Sequence, residues 1–214
     1  FADKKFLYRY SKQSSQISVL TQVFKEESFV KVIYEETNRI WVGSNKFGAA
    51  LIDTETLEVH DTSKVNPWGV ALDIRALHDI TVINGNYWLA TNEGLIVLAS
   101  NGRKLKQING QELGVNEDIN SFSIKVVGDD IWVGTYIGLF LLSDAASGEV
   151  TEFYEPEFLH LNADTYNTTG LPPEIIIKVI EDRTGVVWAA TFHRGAFKYH
   201  PDFATVHFQP VYNS

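Results

Sequence analysis

The sequence has no cysteine and no methionine. Without cysteine there is no thiol nucleophile, no cysteine-based zinc site and no disulfide. Its absence leaves the compartment open, since periplasmic and cytoplasmic bacterial proteins can both do without it. Without methionine, Phe1 is not an initiator residue, and a processed form or a segment of a longer chain is expected. Basic residues are scarce: 18 Lys and Arg against 27 Asp and Glu leave a formal charge of −9. With no basic cluster, a nucleic acid or an anionic membrane surface is not the expected partner, because neutralising phosphates needs Lys and Arg. No run of like charge marks a disordered tail. No apolar stretch reaches the ~18 residues that a bilayer span requires, so this segment is not expected to cross a membrane. Residues 1–12 ("FADKKFLYRYSK") mix polar and aromatic residues and do not read as a signal peptide.

Aromatic residues are plentiful. They make up 13% of the 214 residues, with five Trp, nine Tyr and thirteen Phe, a load that suits sheet packing better than helical bundles. Four of the Trp open the same phrase. "IWVGSNKFGAALIDTETLEVHD" begins at Ile40, "YWLATNEGLIVLASNGRKLKQI" at Tyr87, "IWVGTYIGLFLLSDAASGEVTEF" at Ile131 and "VWAATFHRGAFKYHPDFATVHF" at Val187. Each runs from an apolar–Trp–apolar–small–Ser/Thr stretch through a short link to Gly, then to a second apolar stretch, a turn and a last β-rich stretch. The Trp positions 41, 88, 132 and 188 are 47, 44 and 56 residues apart. Upstream of each Trp lies a β-branched stretch that runs into a polar turn, such as "SFVKVIYEETNR" or "PEIIIKVIEDRTGV". That is the signature of a hairpin.

One unit therefore reads as four strands, a to d, in about 45–50 residues, which is the blade of a β-propeller. The expected fold is all-β, a β-propeller of four-stranded antiparallel blades. A helical or leucine-rich repeat would show a 3.6 period or a shorter unit. Blades are expected over 28–61, 74–108, 119–154 and 174–209. "KFLYRYSKQSSQISVL" matches strands c and d, so 1–22 is expected as a half-blade. Four a–b hairpins against five c–d hairpins point to a partial propeller, with a segment of a larger one favoured. Such an arc would leave unpaired faces for self-association or for the remainder of the propeller. Helix is expected only as short turns, for example at 157–164 ("EFLHLNAD").

The repeated residues have structural roles on physical grounds. Trp41, Trp88, Trp132 and Trp188 fill the gaps between twisted sheets and are expected to give their N–H to backbone partners. Gly48, Gly94, Gly138 and Gly195 stand where strand b hands over to strand c and need unusual backbone angles. Gly43, Ala90, Gly134 and Ala190 let inner strands crowd together.

The repeat resembles the two-component regulator propeller repeat, whose typical form reads I-x-E-D-x-x-G-x-[LI]-W-[IV]-G-T-x-x-G-[LI]-x-x-[FY]-[DN]. Glu181, Asp182, Gly185, Trp188, Thr191, Gly195, Phe197 and Tyr199 fall on that pattern, as do Trp132, Gly134, Thr135, Gly138, Leu139 and Phe140. The first two units match it more loosely, with Ser44 and Asn45 at the Thr turn. The resemblance implies an extracytoplasmic, periplasmic sensor module of a bacterial receptor. The output, a histidine kinase or a diguanylate cyclase, lies elsewhere in such receptors. It also implies a small-molecule or oligosaccharide ligand.

In a propeller the b–c and d–a links share one face, where ligands collect. That position singles out Lys46 and Phe47, Tyr136, and the Phe192-His193-Arg194 link, with a packing or solvated role as the plainer alternative for each. Trp68 is the one Trp outside the repeat register, in the d–a link 62–73; it could stack on a ligand or cap a blade edge. The long link 155–174 is a further candidate, and "NTT" at 167–169 fits a glycosylation acceptor. Catalysis finds little support. His193, His200 and His207 lack metal-ligand spacing, Glu35–Glu36 and Glu181–Asp182 read as turn residues, and no nucleotide or hydrolase fingerprint is present. No catalytic residue, metal or cofactor is expected. A carbohydrate-acting propeller lyase or hydrolase and an interaction scaffold remain the alternatives.

Overall fold

The computed structural model of the chain describes residues 1–116, 118–143, 145–148, 150, 158–161, 174–200 and 205–209. There is no helix among the described residues. A two-stranded sheet comes first, of β1 (Phe6–Ser11) and β2 (Gln16–Gln22). Four four-stranded antiparallel sheets follow. The first holds β3 (Val30–Glu35), β4 (Arg39–Ser44), β5 (Ala49–Asp53) and β6 (Val59–Asp61). The second holds β7 (Leu77–Ile83), β8 (Asn86–Thr91), β9 (Gly94–Leu98) and β10 (Lys104–Ile108). The third holds β11 (Ser121–Val127), β12 (Asp130–Thr135), β13 (Gly138–Leu142) and β14 (Phe158–Leu161). The fourth holds β15 (Ile176–Glu181), β16 (Val187–Thr191), β17 (Ala196–His200) and β18 (Thr205–Gln209). Within each sheet the strands lie in chain order, and the first strands β3, β7, β11 and β15 stand side by side. This is an arc of β-propeller blades.

The third sheet differs from the sequence expectation. Its fourth strand is Phe158–Leu161, paired with β13 from Leu139↔Leu161 to Leu142↔Phe158. The blade thus extends past residue 154, and the expected helical turn at 157–164 contains a strand instead. Pairing with a distant strand decides the conformation of a four-residue apolar piece. Most of the 155–174 link, including "NTT" at 167–169, lies outside the described residues.

Each hydrophobic core lies between two neighbouring sheets. Trp41 packs with Leu77, Ile80 and Leu89 of the next sheet; Trp88 packs with Ile124, Ile131 and Val133; Trp132 packs with Ile176, Val179 and Phe197. These three Trp are 0–2% exposed, and each such ring removes roughly 200 Å² from water, about 5 kcal/mol before entropy is set against it. Trp188, with no described sheet beyond it, is only half-buried. The contrast shows that a neighbouring blade completes the burial of each Trp beyond what its own sheet supplies.

Two sequence details set how tightly the sheets meet. A Cβ on Gly43 would stand 2.6 Å from the Leu77 carbonyl, and one on Gly134 would stand 2.8 Å from the Ile176 carbonyl, so only glycine lets β7 and β15 approach this closely. The second is a bulge repeated in all four first strands. The register slips between Val30 and Val32, Leu77 and Asp79, Ser121 and Ser123, and Ile176 and Lys178. One residue per blade is thereby left out of the ladder: Lys31, His78, Phe122 and Ile177. Bulges add local twist and re-aim a side chain. His78 and Phe122 meet edge to face, with ring centroids 5.0 Å apart.

Candidate link-face clefts

The b–c links repeat one hydrogen-bond scheme. The first amide of the link donates back to the residue ahead of the same blade's first strand: Asn45 N–H to the Phe29 carbonyl at 3.1 Å, Tyr136 N–H to Asn120 at 2.9 Å, Phe192 N–H to Ile175 at 3.0 Å. Asn45 and Asn92 add side-chain latches, with Oδ1 accepting from the Phe29 amide and the Ala76 amide. The four link glycines all have positive φ, and Gly94 shows why. Its φ is 95°, and a Cβ there would stand 2.3 Å from the Ile108 carbonyl. The links and the first strands are thus bound together on one face of the arc.

Two clefts lined by described residues open on that face. The larger, about 710 Å³, is lined by Phe24, Lys25, Glu26, Lys46, Phe47, Val59, Asp61, Ile74 and Arg75 among others, between the two-stranded sheet and the first full blade. The smaller, about 550 Å³, is polar: Arg75, Asn92, Glu93, Gln107, Asn109, Gln111 and Asp118 contribute to it. Arg75 lines both. Its side chain is exposed, and no carboxylate of the described residues stands within ion-pair distance. The smaller cleft also holds a buried carboxylate oxygen: Glu93 Oε1 accepts from Asn92 at 2.7 Å, whereas Oε2 has no hydrogen-bond partner in the structure.

The sequence-selected residues fall into separate places. Lys46 and Phe47 belong to the larger cleft, with the Lys46 ammonium 4.8 Å from the Phe47 ring centre and 3.3 Å from Glu26. Tyr136 stands exposed on the third blade's link. In the fourth blade, His193 Nδ1 (3.2 Å) and Arg194 Nε (3.3 Å) both pair with Glu174, whose side chain is 5% exposed, while Phe192 is exposed and edges against His193. The Arg194–acid pairing is the plainer of the two readings drawn from the sequence. Trp68 does not join this face. Its loop dips to the opposite one, where a Cβ on Gly69 would meet the Asn101 carbonyl of the second blade's c–d turn. The half-buried Trp68 ring lies 5.1 Å from His60 and 5.9 Å from the Arg39 guanidinium. Arg39 is itself buried between Glu36 at 2.6 Å and the Tyr87 hydroxyl. The geometry makes Trp68 a wedge between the first and second blades.

The turn face also corrects the expected partner of the Trp N–H groups. Trp41 Nε1 donates to Glu36 Oε1 at 3.2 Å, and Trp188 Nε1 donates to Asp182 Oδ2 at 2.8 Å. A side-chain carboxylate in the a–b turn takes the place of a backbone carbonyl. The Thr184 hydroxyl first, then Trp188 and backbone amides, hold the Asp182 carboxyl well below the usual range. Of the acidic pairs expected in the turns, Glu36 and Asp182 stand there, whereas Glu35 and Glu181 are the last paired residues of β3 and β15. Asn92 and Glu93 belong to the second unit's b–c link, a position the sequence places on this face, whereas Arg75 and Phe24 lie outside the links that the repeat pattern marks. The signal for Arg75 is faint: one of six Arg in an acidic chain, two residues before a strand whose start the pattern places too early.

No family model matches the sequence, and neither does any curated protein. Solved structures match the fold. The extracellular domain of the putative hybrid two component system BT4673 from B. thetaiotaomicron superposes with a TM-score of 0.63 at 16% identity, over 99% of this chain and 24% of that one. The corresponding domain of BT3049 from the same organism gives 0.56 at 16% identity, over 100% of this chain and 33% of that one. PorZ, an essential surface component of the type-IX secretion system of Porphyromonas gingivalis, gives 0.56 at 13% identity, over 89% of this chain and 30% of that one. The fold is a β-propeller's. The chain spans about a quarter to a third of the length of these structures, and two of the three are extracellular domains of two-component systems, in line with the resemblance read from the repeats.

Proposed function

We propose that this chain is part of the extracytoplasmic, ligand-sensing β-propeller of a bacterial transmembrane signalling receptor, and that it performs no chemistry itself. The observation that carries the reading is the pair of clefts on the link face, meeting at an unpaired Arg75 and built on links tied to the first strands. A ligand held there touches two or three blades at once, so binding biases how blades sit against each other and passes that bias along a rigid arc. Similarity to the extracellular domains of two-component systems supports the compartment and the receptor setting. A kinase or cyclase output would lie outside this chain.

The test is a thermal-shift screen of the protein against oligosaccharides, peptides and small organic acids, with mass-spectrometric analysis of each hit for products. Stabilisation of the protein with the ligand recovered intact is expected; a ligand at 100 times its Kd adds about 2.7 kcal/mol. Conversion of any hit to product would overturn the sensor reading in favour of a propeller lyase or hydrolase.

A further inference from the structure

We propose that the larger cleft is a site for an amphipathic organic anion, a molecule with an apolar body and a carboxylate, and that Arg75 binds the carboxylate. This rests on the ligand-sensing reading and gives it a ligand class. The cleft floor is apolar: Val23 and Phe24 are buried, and the Phe24 and Phe47 rings lie 6.0 Å apart, with Ala49, Ala50, Val59 and Ile74 around them. Its volume of about 710 Å³ matches sites that enclose a small organic ligand.

The rim carries charge opposite in sign to the protein. The chain has a formal charge of −9, yet Lys25, Lys46 and Arg75 outnumber Glu26 and Asp61 around this cleft. The carboxylates are also already engaged. Glu26 pairs with Lys46 at 3.3 Å, and Asp61 Oδ1 accepts from the Ser63 amide at 2.8 Å. Arg75 and Lys25 have no such partner among the described residues. An unpaired guanidinium at the mouth of an apolar cleft matches a carboxylate, which it can grip through two parallel hydrogen bonds. Arg75 is held in place through its backbone, because its carbonyl accepts from the Gly48 amide at 2.8 Å and ties it to the Phe47 link. The site thus offers a cation carried on an anchored backbone next to a ring-lined floor. The smaller cleft on the other side of Arg75 is lined by carboxamides and two acids, and would accommodate polar substituents rather than the apolar body.

The experiment is titration calorimetry with two matched probes, 1-naphthylacetate and its neutral analogue 1-naphthylacetamide, on the wild-type protein and on Arg75→Gln and Arg75→Lys. Saturable binding of the carboxylate is expected, about tenfold or more tighter than the amide, since a charge-assisted pair is lost in the latter. Arg75→Gln weakens the carboxylate by about tenfold and leaves the amide unchanged; Arg75→Lys falls between, keeping charge but losing the fork. Arg75 is exposed, so neither variant endangers folding, and an unchanged melting temperature confirms it. Equal affinity of the two probes, or equal carboxylate affinity in Arg75→Gln, overturns the anion site, as does the absence of saturable carboxylate binding. Hits among uncharged ligands in the thermal screen would leave the sensing reading standing while this class falls.

Discussion

Asp79 is the most informative residue to remove, because one carboxylate oxygen joins three blades. From β7, Asp79 Oδ2 accepts from the Ser123 hydroxyl at 3.1 Å and the Ile124 amide at 3.1 Å, both on β11, and from the Lys178 ammonium on β15 at 2.8 Å. The Ser123 hydroxyl in turn accepts from the Val179 amide at 3.1 Å. Asp79 is 9% exposed, and Ser123 and Ile124 are buried as well. In Asp79→Ala, the Ser123 hydroxyl and the Ile124 amide lose their acceptor across the blade interface, at about 1–3 kcal/mol each, and the neighbouring Ile80 amide loses its 3.1 Å bond to Oδ1 as well. The Lys178 side chain is 54% exposed and regains water, so its pair contributes only about 0–1 kcal/mol. The sum is about 3 kcal/mol, or roughly 6–12 °C in melting temperature for a chain of this size. Lys178→Ala should cost under about 1 kcal/mol. Urea and thermal unfolding measure both, and hydrogen exchange reports the Val179 amide, whose protection should fall in Asp79→Ala more than that of the β9 amides. If Lys178→Ala costs as much as Asp79→Ala, the exposed ion pair rather than the buried donors holds the blades, and the reasoning fails.

Three further outcomes are expected. Gly94→Ala should cost at least about 2 kcal/mol more than Gly85→Ala, because both glycines have positive φ but only at Gly94 would the new methyl meet backbone, 2.3 Å from Ile108; similar denaturation midpoints would refute the clash. His78 is held at a pKa of about 4 by burial first and then by Lys31, with Asp79 opposing. Between pH 6.5 and 4 the unfolded chain takes up a proton that the folded chain refuses, so stability falls as pH falls through that window, by up to about 3 kcal/mol. His78→Gln should flatten that part of the stability–pH curve, and an unaltered slope would show that other groups govern it. Finally, Asp182→Ala should shift the Trp188 indole N–H resonance and lower stability, while Asp182→Glu restores both in part; an unmoved resonance would remove the hydrogen bond from the account.

The blade repeat was legible because it rests on local signals. Trp at the head of strand b, Gly after the link and a polar turn before the Trp are each fixed by geometry within a few residues. The two-residue Asn84-Gly85 turn, with φ of 50° and 77°, is one case where the dipeptide dictates the hairpin. What escaped was set at long range. β14 is four residues long and is defined by its pairing with β13, across a c–d connection longer than in the other blades. Trp68 shows the same limit. Its place outside the repeat register is visible, but the course of its loop to the opposite face brings it against Asn101 in another blade, which the register does not reveal. The candidate site was legible only in part. Lys46 and Phe47 follow from link position alone, whereas Arg75 matters because of what fails to pair with it, and pairing cannot be read from a chain of letters.

The bulge shared by the four first strands has an evolutionary consequence. Lys31, His78, Phe122 and Ile177 occupy the position that the bulge leaves out of the pairing between the first and second strands of each blade, and they range from a flexible cation through two aromatic rings to an aliphatic chain. A position released from pairing can vary without disturbing the sheet, so each blade carries an independently adjustable letter. Consecutive letters are spatial neighbours, as the His78–Phe122 contact shows, and together they spell a short word beside the innermost strands. Chains built on this repeat can therefore rewrite that word one blade at a time while the scaffold residues stay fixed.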